Sequence, residues 1–455
     1  MTIGTLRYST ALMSIEQALR LAVIVDDPPG APWHRRVVQA CYTTAGSVEV
    51  VDPAAADVII DLAHRPVESA PRLGVWRYGF GDGTAVAGGA HGTLARLYRI
   101  DRDPTLGALL REGWFRSASG AAPGTENVGE CVADWCGLVL RQLLLEPAAV
   151  ASAPVVSLDG CDSALPPTRE VGAVVAVRDA LSRWRRRERW TVGIVPSTLD
   201  TIMTRGELPE PRWLSAPPPD RYWADPFPLV VTGDRVTLLA EEYRYREGRG
   251  QIVRLEVDRD GCVRDSFTEF DSAHHLAYPF IVRDGETAYC VPDAAASGQA
   301  SAFRIGSTVD SKPTLLADFP AVDPTIVHHD GRWWMFCTRH GNANQTDLHL
   351  FEADAWRGPW RPHPLNPVKS DARSSRPAGA MFAHQGALFR PAQDCSRRYG
   401  GAIAINRIVD LTPTRFREET IGVLRPSPSW VWPDGMHTLN ALDDVVIVDA
   451  LRVER

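Results

Sequence analysis

From Arg221 onward, short apolar runs alternate with two-residue polar turns, and a polar or acidic step stands before each pair of runs. Trp223-Ala-Asp-Pro-Phe-Pro-Leu-Val-Val, a Gly-Asp turn and Arg235-Val-Thr-Leu-Leu form the first copy. Ala277-Tyr-Pro-Phe-Ile-Val before Asp284-Gly285 and Val322-Asp-Pro-Thr-Ile-Val before Asp330-Gly331 repeat it. Two looser copies begin at Arg376-Pro-Ala-Gly-Ala-Met-Phe and at Asp434-Gly-Met-His-Thr-Leu-Asn. Runs of this length with such turns read as strands joined in hairpins. A repeat of about 50 residues built from them predicts a β-propeller, here with five blades. A propeller aims the start of every blade at one central funnel, so Asp225, Tyr278, Asp323, Arg376 and His437 are expected to meet in space.

The last copy has too few strands, since only Thr438–Leu442 and Val445–Val453 follow His437. Trp190-Thr-Val-Gly-Ile-Val is expected to cross over and complete that blade, because an unpaired terminal strand edge is a liability. Ahead of it the pattern changes. Leu19-Arg-Leu-Ala-Val-Ile-Val-Asp, Ser47–Val51 and Asp57-Val-Ile-Ile-Asp-Leu read as buried strands, and Trp33–Ala45 and Gly129–Leu145 carry helical spacing. Alternating β and α predicts an α/β domain over residues 1–165, with a Rossmann-like parallel sheet and helices on both faces. Residues 166–189 read as a helical linker ending in the basic run Arg183-Trp-Arg-Arg-Arg-Glu-Arg, a solvated helix face, and the propeller occupies 190–455.

Composition narrows the function classes. A formal charge of −7 and no broad basic stretch argue against nucleic acid as a partner. Eight cysteines with no C-x-x-C pair suit reduced thiols and a cytoplasmic location better than a disulfide frame or zinc site. No apolar run is long enough to span a bilayer, so no transmembrane segment is expected. The 14 tryptophans serve either as core or as stacking platforms for sugars.

Several phrases carry a resemblance. With Asp225-Pro226, Asp323-Pro324 and a histidine in the last copy, the second half resembles the five-bladed propellers of glycoside hydrolase family 43. It is closer to the N-terminal domain of the glucosamine inositolphosphorylceramide transferases and their bacterial homologues. The shared phrases are Trp223-Ala-Asp-Pro-Phe, Glu241-Glu-Tyr with Gly250-Gln-Ile, His275-Leu-Ala-Tyr-Pro-Phe, Arg390-Pro-Ala-Gln-Asp-Cys with Tyr399-Gly, and Pro433-Asp-Gly-Met-His-Thr-Leu-Asn. The first half resembles a formyltransferase domain around Leu73-Gly-Val-Trp-Arg-Tyr-Gly-Phe-Gly-Asp. There Arg77 and Gly79 stand where that family has its catalytic Asn and His, and Thr105 stands at its Asp, so formyl transfer is not expected.

The family 43 likeness implies a base at Asp225 and an orienting Asp323, with an acid on the fourth blade. Residues 373–386 hold no carboxylate, and Arg376 occupies the step. Hydrolysis of a glycoside needs a proton donor for its poor leaving group. An arginine cannot donate at neutral pH, but its fork binds phosphate. Glycosyl transfer from a sugar phosphate or nucleotide-sugar donor is therefore the expected chemistry. Asp225 would be the base, and Arg376 with Arg339 would hold the phosphate. Asp323 and His437 would bind the sugar or position the base. Glu241, Asp293, Gln393, Asp394 and Tyr399 are further wall candidates, and His340, Tyr278 and Trp223 are counted with the substrate-binding set. Two alternatives stay open: a hydrolase in which Glu242 or Asp293 is the acid, and a carbohydrate-binding module without chemistry. Whether a divalent cation sits on the propeller axis also stays open.

Overall fold

A computed structural model describes residues 19–25, 32–44, 48–69, 71–82, 92–100, 105–116, 125–161, 187–306, 313–341 and 343–454. The chain divides into two compact units, Met1–Val177 and Arg178–Arg455.

The first unit is built on strands β1 (Leu19–Ile24), β2 (Val48–Val50), β3 (Val58–Asp61), β4 (Val75–Asp82), β5 (Gly92–Ile100), β6 (Leu106–Arg116) and β7 (Val155–Ser157). They form one sheet in the order β2-β1-β3-β4-β5-β6-β7. The first four are parallel, and β4 to β7 are antiparallel. The sheet is thus mixed where the sequence reading has it parallel. Helices α1 (Pro32–Thr44), α2 (Thr125–Val132), α3 (Trp135–Leu145) and α4 (Pro147–Ala151) follow. Trp33, Val37, Trp135 and Leu140 share one core with Leu21, Ile60, Tyr78 and Leu97. Ala22 and Ile59 on the opposite face pack with Ala56, Val51 and Val67 from connecting segments. Among the described residues, then, helices cover one face, not both.

The positions compared with formyltransferases have other duties. Arg77 pairs with the fully buried Asp61 at 2.7 Å. Gly79 leaves room for Tyr98 and Cys161, which a Cβ there would meet at 2.9 and 3.2 Å. Thr105 stands just ahead of β6, and its carbonyl accepts from Leu158 N–H.

The second unit is a five-bladed propeller. Blades 1 to 4 open on the inner strands Arg221–Thr232, Ala277–Asp284, Ala321–His329 and Phe382–His384, each followed outward by antiparallel partners. Blade 5 takes Leu439–Leu442 and Val445–Glu454 from the C-terminal end, then Arg187–Val195 and Arg212–Trp213 from the other end. Nine residue pairs, from Val446↔Val195 to Glu454↔Arg187, zip this closure. Arg187–Arg189, assigned from sequence to the end of a helix, are strand; residues 162–186 lie outside the described residues. Apolar clusters fill the spaces between adjacent blades, for example Val192, Leu238, Leu255 and Ile447 between blades 5 and 1.

Candidate functional site

Three inner strands share one backbone device. Asp225, Tyr278 and Asp323, each followed by proline, have φ of +49°, +45° and +51°. Pairing with the next strand shifts register at each, between Ala224 and Phe227, Ala277 and Phe280, and Val322 and Thr325. Each is a bulge that re-aims one side chain. Left-handed backbone at non-glycine residues costs about 1–3 kcal/mol apiece and persists only where the surroundings hold it.

The surroundings are a ring of bonds passed from blade to blade. Asp449 of blade 5 accepts from the backbone N–H of Asp225, and Asp225 accepts from the backbone N–H of Tyr278, both at 3.1 Å. The Tyr278 phenol reaches Thr325 Oγ1 of blade 3 and accepts from Gly379 N–H of blade 4, both at 2.7 Å. Arg376 of blade 4 clamps Asp323 of blade 3 with Nε at 2.6 Å and Nη2 at 3.3 Å. Thr438 of blade 5 donates its hydroxyl to Asp225 Oδ1 at 2.6 Å. Segment 374–376 is held in turn by the fully buried Arg390, which donates to the carbonyls of Ser374 and Ser375 and pairs with Glu418.

Asp225, Asp323, Arg376 and His437 therefore do converge, at 5%, 2%, 8% and 2% exposure. Gln393 joins them through Nε2 to Asp323 at 3.0 Å, and Tyr399 lies under the Arg376 guanidinium, 5.0 Å from ring centre. Asp293 is buried beside the same group, its Oδ1 taken by Ala295 N–H. Arg339 and His340 are exposed, Arg339 lying over Phe319.

Four residues of the expected set have other partners in the structure. Glu242 accepts from Arg221, Arg244 and Gln251 on Oε1 and from Trp223 on Oε2, which commits it to a network joining three strands of blade 1. Trp223 spends its indole N–H on Glu242 and packs in the core between blades 5 and 1, which removes it as a sugar platform. Tyr278 is a buried strut with both sides of its hydroxyl occupied. Asp394 points the other way from Gln393 and pairs with Arg425 at 2.8 Å.

Asp449 and Glu241 complete the cluster. Asp449, fully buried, accepts from the N–H groups of Asp225, His437 and Thr438 and lies 2.5 Å from His437 Nδ1. Trp190 of the closing strand stacks on the His437 ring at 3.9 Å. The one signal for Asp449 in sequence is a lone carboxylate inside the apolar run Val445–Leu451. Burial disfavours charge on His437, but Asp449 and Asp225 outweigh it, and the imidazole titrates above its ordinary range. Burial raises Asp225, opposed by His437, and raises Asp323 and Asp293, opposed by Arg376. Burial also opposes charge on Arg376, yet Asp323 and its neighbours hold its proton more tightly than usual.

Asp225, His437 and Asp449 offer three ligand atoms within 4.8 Å of one another. Asp449 already meets four donors, three backbone N–H groups and the His437 ring, so a cation would reach it only by displacing them, whereas each Asp225 oxygen has accepted a single bond.

Fold and cluster define a five-bladed propeller with an axial nest of carboxylates facing one arginine. Residues 213–428 match the family described as glucosamine inositolphosphorylceramide transferase 1, N-terminal. The resemblance read from the sequence is to this family; the matched span takes in blades 1 to 4 and leaves out Arg187–Val195, Leu439–Leu442 and Val445–Glu454 of blade 5. The transferase of that name from Oryza sativa subsp. japonica is 31% identical over 216 residues, 45% of this chain and 28% of the relative. The Arabidopsis thaliana protein is 30% identical over 208 residues, 44% of this chain and 27% of the relative. This chain thus matches little more than a quarter of its relatives' length. Among solved structures, a family 117 glycoside hydrolase from Zobellia galactanivorans aligns over 58% of this chain and 90% of its own, at 12% identity and TM-score 0.37. An exo-β-1,3-galactanase from Phanerochaete chrysosporium aligns over 40% and 45%, at 12% identity and TM-score 0.32.

Proposed function

We propose that the propeller axis acts on carbohydrate, transferring a glycosyl group from a sugar phosphate or nucleotide sugar to a hydroxyl. The observation that carries this reading is Arg376, a guanidinium at the blade-4 step, clamped on Asp323 through Nε and Nη2. Its third arm, Nη1, takes no part in that pair and is the group to meet an anionic oxygen. The relatives' name, a transferase, supports the same class.

In this mechanism the anomeric C–O bond breaks with its electron pair leaving on phosphate, beside Arg376. Asp225 takes the proton of the acceptor hydroxyl as the new C–O bond forms. Its raised pKa suits a base, and each of its oxygens, having accepted one bond, keeps a lone pair. Asp323 orients Arg376, and Asp449 fixes the His437 ring.

The test is calorimetric binding of anomeric hexose and hexosamine phosphates and uridine diphosphate sugars to the full chain. Arg376→Lys keeps charge but loses the fork, and should weaken the bound donor about tenfold or more. Asp225→Asn should bind within a few-fold of wild type and lose about a hundredfold or more in turnover. Equal donor affinity in wild type and Arg376→Lys, with both folded, contradicts the reading.

A further inference from the structure

The mechanism above leaves two carboxylates of the axial cluster idle, Asp293, whose Oδ1 accepts from Ala295 N–H, and Glu241. Glu241 pairs with Ala224, directly beside Asp225, on the second strand of blade 1. The residue is 5% exposed, and its Oε1 has no hydrogen-bond partner among the described residues. Leaving a buried polar atom unpaired is costly and calls for an explanation. His275 Nε2 lies 3.7 Å from it, beyond bonding distance. His275 Nδ1 accepts the Gly250 N–H at 2.8 Å, so its proton sits on Nε2. Gly250 itself is shaped to this oxygen, since a Cβ there would lie 2.4 Å from Oε1.

The charges facing Glu241 are mostly negative. Asp225 comes from blade 1, Asp293 from blade 2, Asp323 from blade 3 and Asp449 from blade 5. Tyr222, Tyr243 and Tyr399 also feel its charge, His275 lies alongside, and Arg376 is committed to Asp323. Burial first, and these carboxylates second, hold Glu241 well above the usual carboxylate range. An ionised Glu241 would repel an anionic ligand, whereas a neutral one offers it an O–H.

We propose that Glu241 contacts the bound sugar phosphate as a neutral carboxylic acid, its sealed Oε1 left uncharged and its other oxygen, Oε2, donating a hydrogen bond to a ligand oxygen. This deepens the proposed function and rests on it. The stacked pair Tyr222 and Tyr243, 5.1 Å apart, with His275 edge-on to Tyr243 at 6.2 Å, gives the ligand a half-buried aromatic wall beside that donor. Sugars and phosphates both present oxygens able to accept such a bond.

Two measurements on the full chain test it. The first is the infrared C=O stretch of protonated carboxyl groups in ligand-free protein at neutral pH. Wild type should show a component that Glu241→Gln lacks, and identical spectra overturn the neutral acid. The second is the pH dependence of sugar phosphate affinity. Wild type should lose affinity on the alkaline side as Glu241 ionises. Glu241→Gln, a permanently neutral donor, should bind with a flatter profile, and Glu241→Ala should bind about tenfold more weakly than wild type at neutral pH, with the gap closing on the alkaline side. Wild-type affinity in a folded Glu241→Ala overturns the contact alone. No binding by wild type at any pH overturns the proposed function and this contact with it.

Discussion

Side chains at the axis divide into those that support and those left able to touch a ligand, and Asp449 shows the difference. Its two oxygens serve three backbone N–H groups and the His437 ring, all from blades 1 and 5. Asp449→Ala would leave those donors and a buried imidazole without a partner, a loss of about 3–5 kcal/mol by comparison with broken buried pairs. Urea denaturation measures it, and a loss under about 1 kcal/mol would show that the network is not supporting the axis. Asp225 and Asp323 were legible in sequence because the repeat sets them in register before each blade. Glu241 and Glu242 were not separable there. Strand side chains alternate, so one neighbour faces the axis and the other the interblade core. The strand that carries both is apolar on its two faces, with Leu238 and Ala240 in one interblade core and Leu239 in the next, so no hydrophobic alternation marks which glutamate is which.

Hairpins explain why the propeller could be read at all. Asp330-Gly331 and Gln385-Gly386 have positive φ at both residues, the primed turn that matches strand twist. Such turns announce themselves in sequence. Blade 4 was one of the two looser copies, and its inner strand is only Phe382–His384. The segment before it is positioned by Gly379, at φ +127°, where a Cβ would lie 2.0 Å from Leu439 O of blade 5. Gly379→Ala should push blades 4 and 5 apart and break the Tyr278 bond to Gly379 N–H. We expect a loss of about 1–3 kcal/mol or more, read from the thermal midpoint. An unchanged midpoint would mean that the close approach is not needed. In the first unit the parallel strands were legible as buried apolar runs. The antiparallel β5 and β6 were not, because β6 mixes half-buried polar residues with apolar ones and shows neither clean alternation nor a continuous apolar run.

For the whole molecule the ionisable groups set opposite limits on stability. Glu418 is disfavoured as an anion by burial but held by Arg390 and Lys369 down to about 2. Its contribution is complete above the ordinary glutamate range and disappears as pH falls toward that value. Glu241 and His437 titrate above their ordinary values, as do Asp225, Asp293 and Asp323. What they contribute is present below those ordinary values and is lost as pH rises through the raised ones. Urea unfolding across pH should therefore show stability falling on both sides. The alkaline decline should be shallower in Glu241→Gln, and an identical decline would remove Glu241 from the account. Chain closure belongs to this level too. Trp190 both completes blade 5 and stacks on His437, so the ring closes on the same residues that form the axial nest.

The central claim is that donor binding occurs at the axis, and a crystal structure of the full chain soaked with its tightest-binding sugar phosphate tests it most directly. We predict phosphate oxygens within hydrogen-bond distance of Arg376 Nη1, with the sugar between Asp225 and Glu241. Well-ordered ligand elsewhere on the propeller, with the axial cluster untouched, would contradict the account.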